Sequence, residues 1–415
     1  MIKQKLGIGI FLLAMMVGMM VIPAVNAQGE NKYDVTAEEA FKHANAYMIE
    51  FLAINASGFE NWTGASIDPK PIELYDISGK KLFYHFSVSK SNQVIGTIDV
   101  CADKTLGPSV NAFEFDPEPY KAAEAMKKSK EIAKSRYPTG KIKSTNLVVY
   151  SYPSIGAMTV VKDKTAGVEY RIFVDAYTLD EVEDKPATET EPGVWSMYEM
   201  KLENGAEENL KDWDKSNQLT KYIEQAADKK GIDINLPVTE ENIKKLSLPI
   251  TENMKTMTVS ATTVYPPSKS LSVPIIGQEN SVFCGPASIQ MVASYEKLKP
   301  LETQSQIYHN KHSGGRADEV GGLSAPGVRD YCIYVLNKGN TEDLNKGEFS
   351  KTTVKDEICN GRPYISAISG HFRVCRGYSD LGYTFYLSIN DPKPIGKGST
   401  RLETYGTEVI HVYVK

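Results

Sequence analysis

Apolar and polar positions change period several times along the chain. Thr36-Ala37-Glu38-Glu39 reads as a capping box, and Ala40, Phe41, Ala44, Tyr47, Met48 and Phe51 follow at helical spacing. Strand-like runs at 72–77, 81–88 and 94–101 come next. A second helix is predicted over 120–135, with Lys127, Lys128 and Lys130 on its solvated side, and further strands over 147–152, 158–161 and 168–177. A helix, three strands, a helix and three strands predict an α+β domain over residues 31–182. Residues 183–270 form a polar, partly helical linker region. It contains an acidic opening from Asp184 to Glu191, a charged helical run from Glu207 to Lys230, and a Thr- and Ser-rich junction with Pro266-Pro267. The third part, 271–415, opens on a buried helix in which Ala287, Met291 and Tyr295 recur every four residues. Strands are predicted over 364–368, 371–378 and 384–391, with a turn at 379–383.

The N-terminus bears on the compartment. Lys3 and Lys5 precede an apolar run from Leu6 to Val25, and Val25-Asn26-Ala27 is a small-x-small cleavage signal. Residues 1–27 therefore read as a secretory signal peptide, with an uncleaved membrane anchor as the alternative. A secreted or cell-surface protein is expected. Export permits disulfides and makes Asn55-Ala56-Ser57 and Asn61-Trp62-Thr63 candidate sequons, though such short motifs also arise by chance. A chain of 415 residues with 41% hydrophobic and 24% charged residues is not disordered, and a net charge of -5 argues against a nucleic-acid partner. The five cysteines, an odd number, leave at least one thiol over, and Cys332 with Cys359 is a candidate disulfide.

Four of the five cysteines and four of the six histidines lie in the third part. Cys284 precedes Gly285 and Pro286 at the predicted helix start, where the partial positive charge lowers a thiol pKa and first-turn amides can serve an oxyanion. A nucleophilic cysteine needs a base, and His371 is the candidate. With a loop at 379–383, Tyr378 pairs with Thr384 and His371 stands opposite Asp391. A slip of one residue would bring Asn390 instead; Asp391 is favoured because it continues the face of Phe385, Leu387 and Ile389. Cys375 shares the parity of His371 and reads as a buried thiol, as does Cys101. His309 and His312 flank Lys311 at a spacing that suits a metal, but without further ligands they read as a solvated loop. With Gly314-Gly315 and Gly321-Gly322 that loop is expected to border a substrate cleft. The chemistry calls for no cofactor and no metal.

Residues 271–415 resemble a papain-like cysteine peptidase domain of the C39-like family. The resemblance rests on Val273-Pro274 leading to Gln278, on Gln278 six residues before Cys284, and on Cys284-Gly285-Pro286-Ala287 opening a helix. It rests also on Gly370-His371 followed by Gly377-Tyr378, and on Asn390-Asp391-Pro392. It implies a papain-like fold, with the Cys on an N-terminal helix and the His and Asp on an antiparallel sheet. It further implies that Cys284 is the nucleophile, His371 the base and acid, Asp391 its orienting partner, and Gln278 with the Cys284 amide the oxyanion hole. Phe283, and Phe372-Arg373-Val374-Cys375 after His371, depart from the family pattern. The expectation is a secreted peptidase acting on protein or peptide substrates, with the N-terminal region as an inhibitory or folding prodomain or a targeting module. The alternatives are a cysteine-dependent amidase or acyltransferase on envelope or isopeptide bonds, and a non-catalytic surface-binding module.

Overall fold

A computed structural model describes residues 32–163, 167–203, 205–246, 265–299 and 301–415. The expected signal segment and most of the 258–270 junction lie outside these residues. Tyr33–Lys415 forms one unit, with a mixed α and β content.

Thr36 caps the first helix, α1 (Ala37–Ala53), by accepting the Glu39 N–H at 3.1 Å. The strands β1 (Ser66–Ile67), β2 (Ile72–Asp76), β3 (Lys81–Lys90), β4 (Gln93–Cys101) and β5 (Val110–Phe115) follow. Next come α2 (Ala122–Arg136), β6 (Lys141–Ser151), β7 (Ser154–Lys162), β8 (Glu169–Asp175) and β9 (Glu181–Val182). β5 is not among the strands expected from sequence. Its Asn111 and Glu114 interrupt the apolar pattern, yet both are buried.

The polar region carries α3 (Met197–Leu202) and α4 (Ala206–Lys230). α4 is charged on one side only. Trp213, Leu219, Ile223 and Ala227 are buried, and the helix docks on α1 through Tyr47 Oη–Ser216 Oγ at 2.7 Å and a His43–Trp213 edge contact at 5.0 Å.

The last part consists of β10 (Ser268–Ser270), α5 (Cys284–Tyr295), α6 (Gln304–His309), α7 (Ala325–Tyr334), β11 (Glu342–Asn345), α8 (Lys351–Cys359), β12 (Tyr364–Ile368), β13 (His371–Asp380), β14 (Phe385–Asp391), β15 (Ser399–Thr404) and β16 (Ile410–Tyr413). Among the described residues the strands form one sheet, in the order β11-β16-β12-β13-β14-β15-β5-β4-β3-β2-β6-β7-β8-β9. Among the described strands only the β2–β6 pairing is parallel.

The sheet passes from the peptidase-like part to the N-terminal part where β15 pairs with β5, Leu402 opposite Phe113. Beside that pair, Arg401 donates to Glu114 at 2.8 Å, both nearly inaccessible. Phe51, Phe59 and Phe113 form an aromatic cluster that Tyr386 of β14 joins at 5.4 Å from Phe51. Tyr383 donates to the buried Glu50 of α1. A second core surrounds α5, where Ile289, Met291 and Val292 cluster with Tyr331, Ile358, Val374 and Leu387.

Candidate active site

Cys284 is the first residue of α5, with Phe283 as the preceding cap. The thiol is 6% exposed. Phe283 turns away into the core and packs on Tyr308 at 5.0 Å, and Tyr308 in turn donates its hydroxyl to the Gly321 carbonyl. The residue that departs from the family pattern thus braces the Gly321–Gly322 loop. That loop borders Cys284: a Cβ on Gly322 would lie 3.4 Å from the Val282 carbonyl oxygen, and one on Gly285 would lie 3.3 Å from Leu323.

His371 opens β13 after a tight turn in which Ile368 pairs with His371 and Gly370 takes φ 68°. Its Nε2 meets Asp391 Oδ1 at 2.7 Å. The other side of the ring is then left for Cys284, whose thiol feels both the His371 ring and the Phe372 backbone.

The register behind this contact differs from the expected one. The turn is shorter than 379–383, so Asp380 pairs with Phe385 and Tyr378 with Leu387. Continued unbroken, that pairing would put Asn390 on the face of His371. A bulge at Arg376 corrects the phase, giving Cys375 opposite Ile389 and Val374 opposite Asn390. Asp391 therefore shares a face with His371 but sits diagonally from it, opposite the position of Arg373. Reach to a diagonal neighbour is ordinary for an imidazole and a carboxylate.

Burial works against charge on all three groups, and their mutual interactions outweigh it. Burial pushes the Cys284 thiol up, but the hydrogen bond and charge of His371 bring it below the usual thiol range. Burial pulls the His371 imidazolium down, but Asp391 holds it above the ordinary value. Burial likewise opposes the Asp391 carboxylate, which His371 and Arg373 hold at about 2. These directions favour a thiolate–imidazolium pair over a thiol and a neutral ring.

Two supports of this triad carry no sequence signal. Arg373 is fully buried and donates to Glu403 at 2.5 Å, and Glu403 accepts from the Tyr152 hydroxyl at 3.1 Å. Lys393 donates its backbone N–H to Asp391 Oδ1 at 2.8 Å and its ammonium to Ser154 Oγ at 3.0 Å. In both cases the second partner lies in the N-terminal part, so local sequence cannot reveal it.

Gln278 is fully buried and is anchored to the loop after Asp391. Its N–H donates to the Pro392 carbonyl at 2.9 Å and its carbonyl accepts from Gly396 at 2.8 Å. Gly277 permits this approach, because a Cβ there would stand 2.4 Å from the Lys397 nitrogen. The Gln278 amide gives one hydrogen bond to the Asn280 carbonyl at 2.6 Å. Gln278, Ser281, Gly370 and Lys393 line a cavity of about 380 Å³ together with Tyr150, Ser154 and Asp175.

The acidic stretch expected to be a linker folds back as a hairpin. Val194 donates to the Lys185 carbonyl at 2.8 Å, and the tip closes where Thr188 donates to the Glu191 carbonyl at 3.0 Å. The tip rests between the two rims beside Cys284 and His371. Gly322 donates to the Thr190 carbonyl at 2.5 Å, and Glu189 accepts the Ala325 N–H at 2.6 Å, at the start of α7. On the other rim, a Cβ on Gly370 would lie 3.3 Å from the Thr188 carbonyl oxygen.

The remaining candidates lie elsewhere. All five cysteines are free, so the Cys332–Cys359 disulfide does not form: Cys332 is buried, with its thiol pushed up to about 12, while the Cys359 sulfur faces the Tyr378 hydroxyl at 3.5 Å. Cys375 is buried and contacts the Gly377 carbonyl at 3.3 Å. His309 pairs with Glu319 at 3.5 Å, and His312 stacks on Tyr334 at 4.8 Å. Among the described residues no three His, Cys, Asp or Glu side chains gather as a metal site, and no helix is long and apolar enough to cross a membrane.

No curated protein matches the chain. Among solved structures, the digestive procathepsin L 3 of Tenebrio molitor larval midgut is 12% identical, over 40% of this chain and 79% of that one, with a TM-score of 0.28. So low a score carries no argument. The family comparison is more direct: residues 270–413, the segment holding Gln278, Cys284, His371 and Asp391, match the Peptidase_C39 like family.

Proposed function

We propose that the chain is an exported cysteine peptidase that cleaves peptide bonds by acyl transfer to Cys284. The observation that carries the reading is the 2.7 Å hydrogen bond between the buried His371 and Asp391, with Cys284 at the N-terminus of α5 acting on the same ring. The thiolate attacks the substrate carbonyl, and the C–N bond breaks as the His371 imidazolium passes its proton to the leaving amine. Water, deprotonated by His371, then hydrolyses the thioester and restores the thiol. Asp391 holds the ring in orientation throughout. The Cys284 N–H and the second amide hydrogen of Gln278 are the oxyanion donors, a role supported by the burial and double backbone anchoring of Gln278. Export is supported by the Lys3, Lys5 and Leu6–Val25 pattern.

The N-terminal region holds the enzyme in check through the tip of the 185–194 hairpin. Support comes from the Gly322–Thr190 backbone bond and the Glu189 contact to α7, which bridge the rims where an extended substrate would lie. Activation then means displacing the tip, with the joined sheet kept intact.

Alkylation of Cys284 by iodoacetamide at neutral pH tests the chemistry. Faster reaction than an ordinary thiol, abolished by His371→Ala, is expected; indifference to that substitution would sink the reading. Self-cleavage within 183–270 that stops in Cys284→Ala would add a peptide substrate.

A further inference from the structure

Three cations line the cavity beside the triad: Lys185, Lys393 and Arg401. Two are already neutralised. Lys185 pairs with Glu183 at 3.0 Å and Glu191 at 3.5 Å, and Arg401 pairs with Glu114 at 2.8 Å and Asp99 at 3.5 Å. Lys393 differs. Its ammonium donates to Ser154 Oγ, and no described carboxylate is ion-paired with it. The acids of the lining offer it little competition. Asp175 is taken by the Tyr150 hydroxyl at 2.6 Å, Glu181 by Arg136 at 2.7 Å, and Asp180 is exposed.

A half-buried ammonium with one hydroxyl partner keeps donors free for an anion. The position of Lys393 gives that anion a meaning. Lys393 follows Asp391 by two residues and is tied to the carboxylate that orients His371. In the proposed reaction His371 protonates the leaving amine, so the leaving group departs on this side of the thiol. The cavity that Lys393 shares with Tyr150, Ser154 and Asp175 holds about 380 Å³, which limits how much chain the leaving side can hold.

We propose that Lys393 binds a substrate carboxylate on the leaving-group side of the scissile bond, so that the site prefers to release short fragments bearing a carboxylate close to the bond that breaks. The carboxylate is either the free C-terminus of the substrate or an acidic side chain just after the bond. This inference rests on the proposed peptidase reading and deepens it.

Binding to the full-length Cys284→Ala protein, with 188–191 replaced by two glycines so that the tip leaves the rims open, tests it without needing turnover. Three forms of one short peptide serve as probes: a free C-terminal acid, its carboxamide, and a carboxamide with Asp at the residue after the scissile position. The free acid is expected to bind at least tenfold more tightly than the plain carboxamide, and Lys393→Met to remove that difference while leaving carboxamide binding unchanged. Preference for the Asp carboxamide over the free acid assigns the pocket to a side chain; the reverse assigns it to the chain end. Equal binding of all three, or an equal loss for all three in Lys393→Met, overturns the proposal. Failure here with His371-dependent alkylation of Cys284 intact leaves the peptidase reading standing, whereas loss of that dependence removes the reading itself.

Discussion

His371 and Asp391 meet diagonally across the β13–β14 hairpin, on a face they share because Arg376 bulges out of β13. The bulge decides which acceptor the imidazole finds. Deleting Arg376 closes the bulge yet keeps Gly377 opposite Ser388 and Cys375 opposite Ile389, so Asp391 stays on the face of His371. Deleting Val374 instead moves the His371 end by one and aims Asn390, a neutral partner, toward the ring. His371-dependent alkylation of Cys284 is expected to survive the first deletion and to be abolished by the second. Asp391→Ala, which leaves the register alone, is expected to lower the peptidase rate by roughly 10²-fold or more, the usual scale for losing effective acid–base catalysis.

The charge directions at the site give a pH signature. Cys284 lies below the ordinary thiol value and His371 above the ordinary imidazole value, so the ion pair spans the range between them. As pH falls the thiolate is protonated; as pH rises the imidazolium is lost. Peptide hydrolysis should follow a bell, and alkylation should begin well below the ~8.5 of a free thiol. In His371→Ala burial is opposed only by the Phe372 backbone and Lys393, so the alkylation curve should move to alkaline pH. A curve that stays in place would contradict the assigned pair.

Removing the hairpin tip should release the site. Replacing 188–191 with two glycines deletes the Thr190 and Glu189 contacts to Gly322 and Ala325. Alkylation of Cys284 is expected to accelerate at least tenfold with little change in melting temperature. Unchanged alkylation would mean that the tip does not cover the thiol.

Glu50 makes stability depend on pH through a contact between the two ends of the chain. Burial pushes its carboxyl up to about 8, against the opposing hydrogen bond from Tyr383, and its second oxygen has no partner. A carboxyl whose folded value is raised favours folding most at acid pH. That contribution declines as pH climbs from the ordinary carboxylate range, ~4.3, towards 8. Glu50→Gln should remove this slope and raise the melting temperature at pH 8 relative to pH 5. Melting curves at the two pH values provide the check.

The Arg401–Glu114 pair makes a prediction about the junction. Glu114→Ala strands a buried guanidinium, with Asp99 at 3.5 Å as its remaining partner. A loss of about 3–5 kcal/mol is expected from breaking a buried pair. Arg401→Met combined with Glu114→Leu removes both charges and should recover much of it. Denaturant unfolding measures the difference.

What sequence could reveal follows from how local each feature is. Cys284 was legible because the apolar stripe of α5 and the Gly285-Pro286 start lie within a dozen residues. Asp391 was reached through a turn that does not form: the actual turn alone gives the parity of Asn390, and only the bulge at Arg376 restores that of Asp391. Turn length and a bulge belong to two strands at once. α4 read as part of a linker because the residues that bury Trp213 and Leu219 lie far away, on α1 and its surroundings. β5 escaped notice because Glu114 and Asn111 look solvated until Arg401 and Thr404 are brought beside them. Lys393 acquires its place only once Ser154 meets its ammonium.

The β15–β5 pairing has a consequence for the history and handling of this chain. The segment with recognisable kin, 270–413, is smaller than the body that must assemble around it. Cut free, it would carry β15 as a bare sheet edge, with Arg401 stripped of its counter-ion, an invitation to aggregate. The unit of descent and the unit of folding are therefore different lengths of polypeptide. Transplanting this segment into another scaffold would mean carrying β5 with it, or inventing a substitute for that strand.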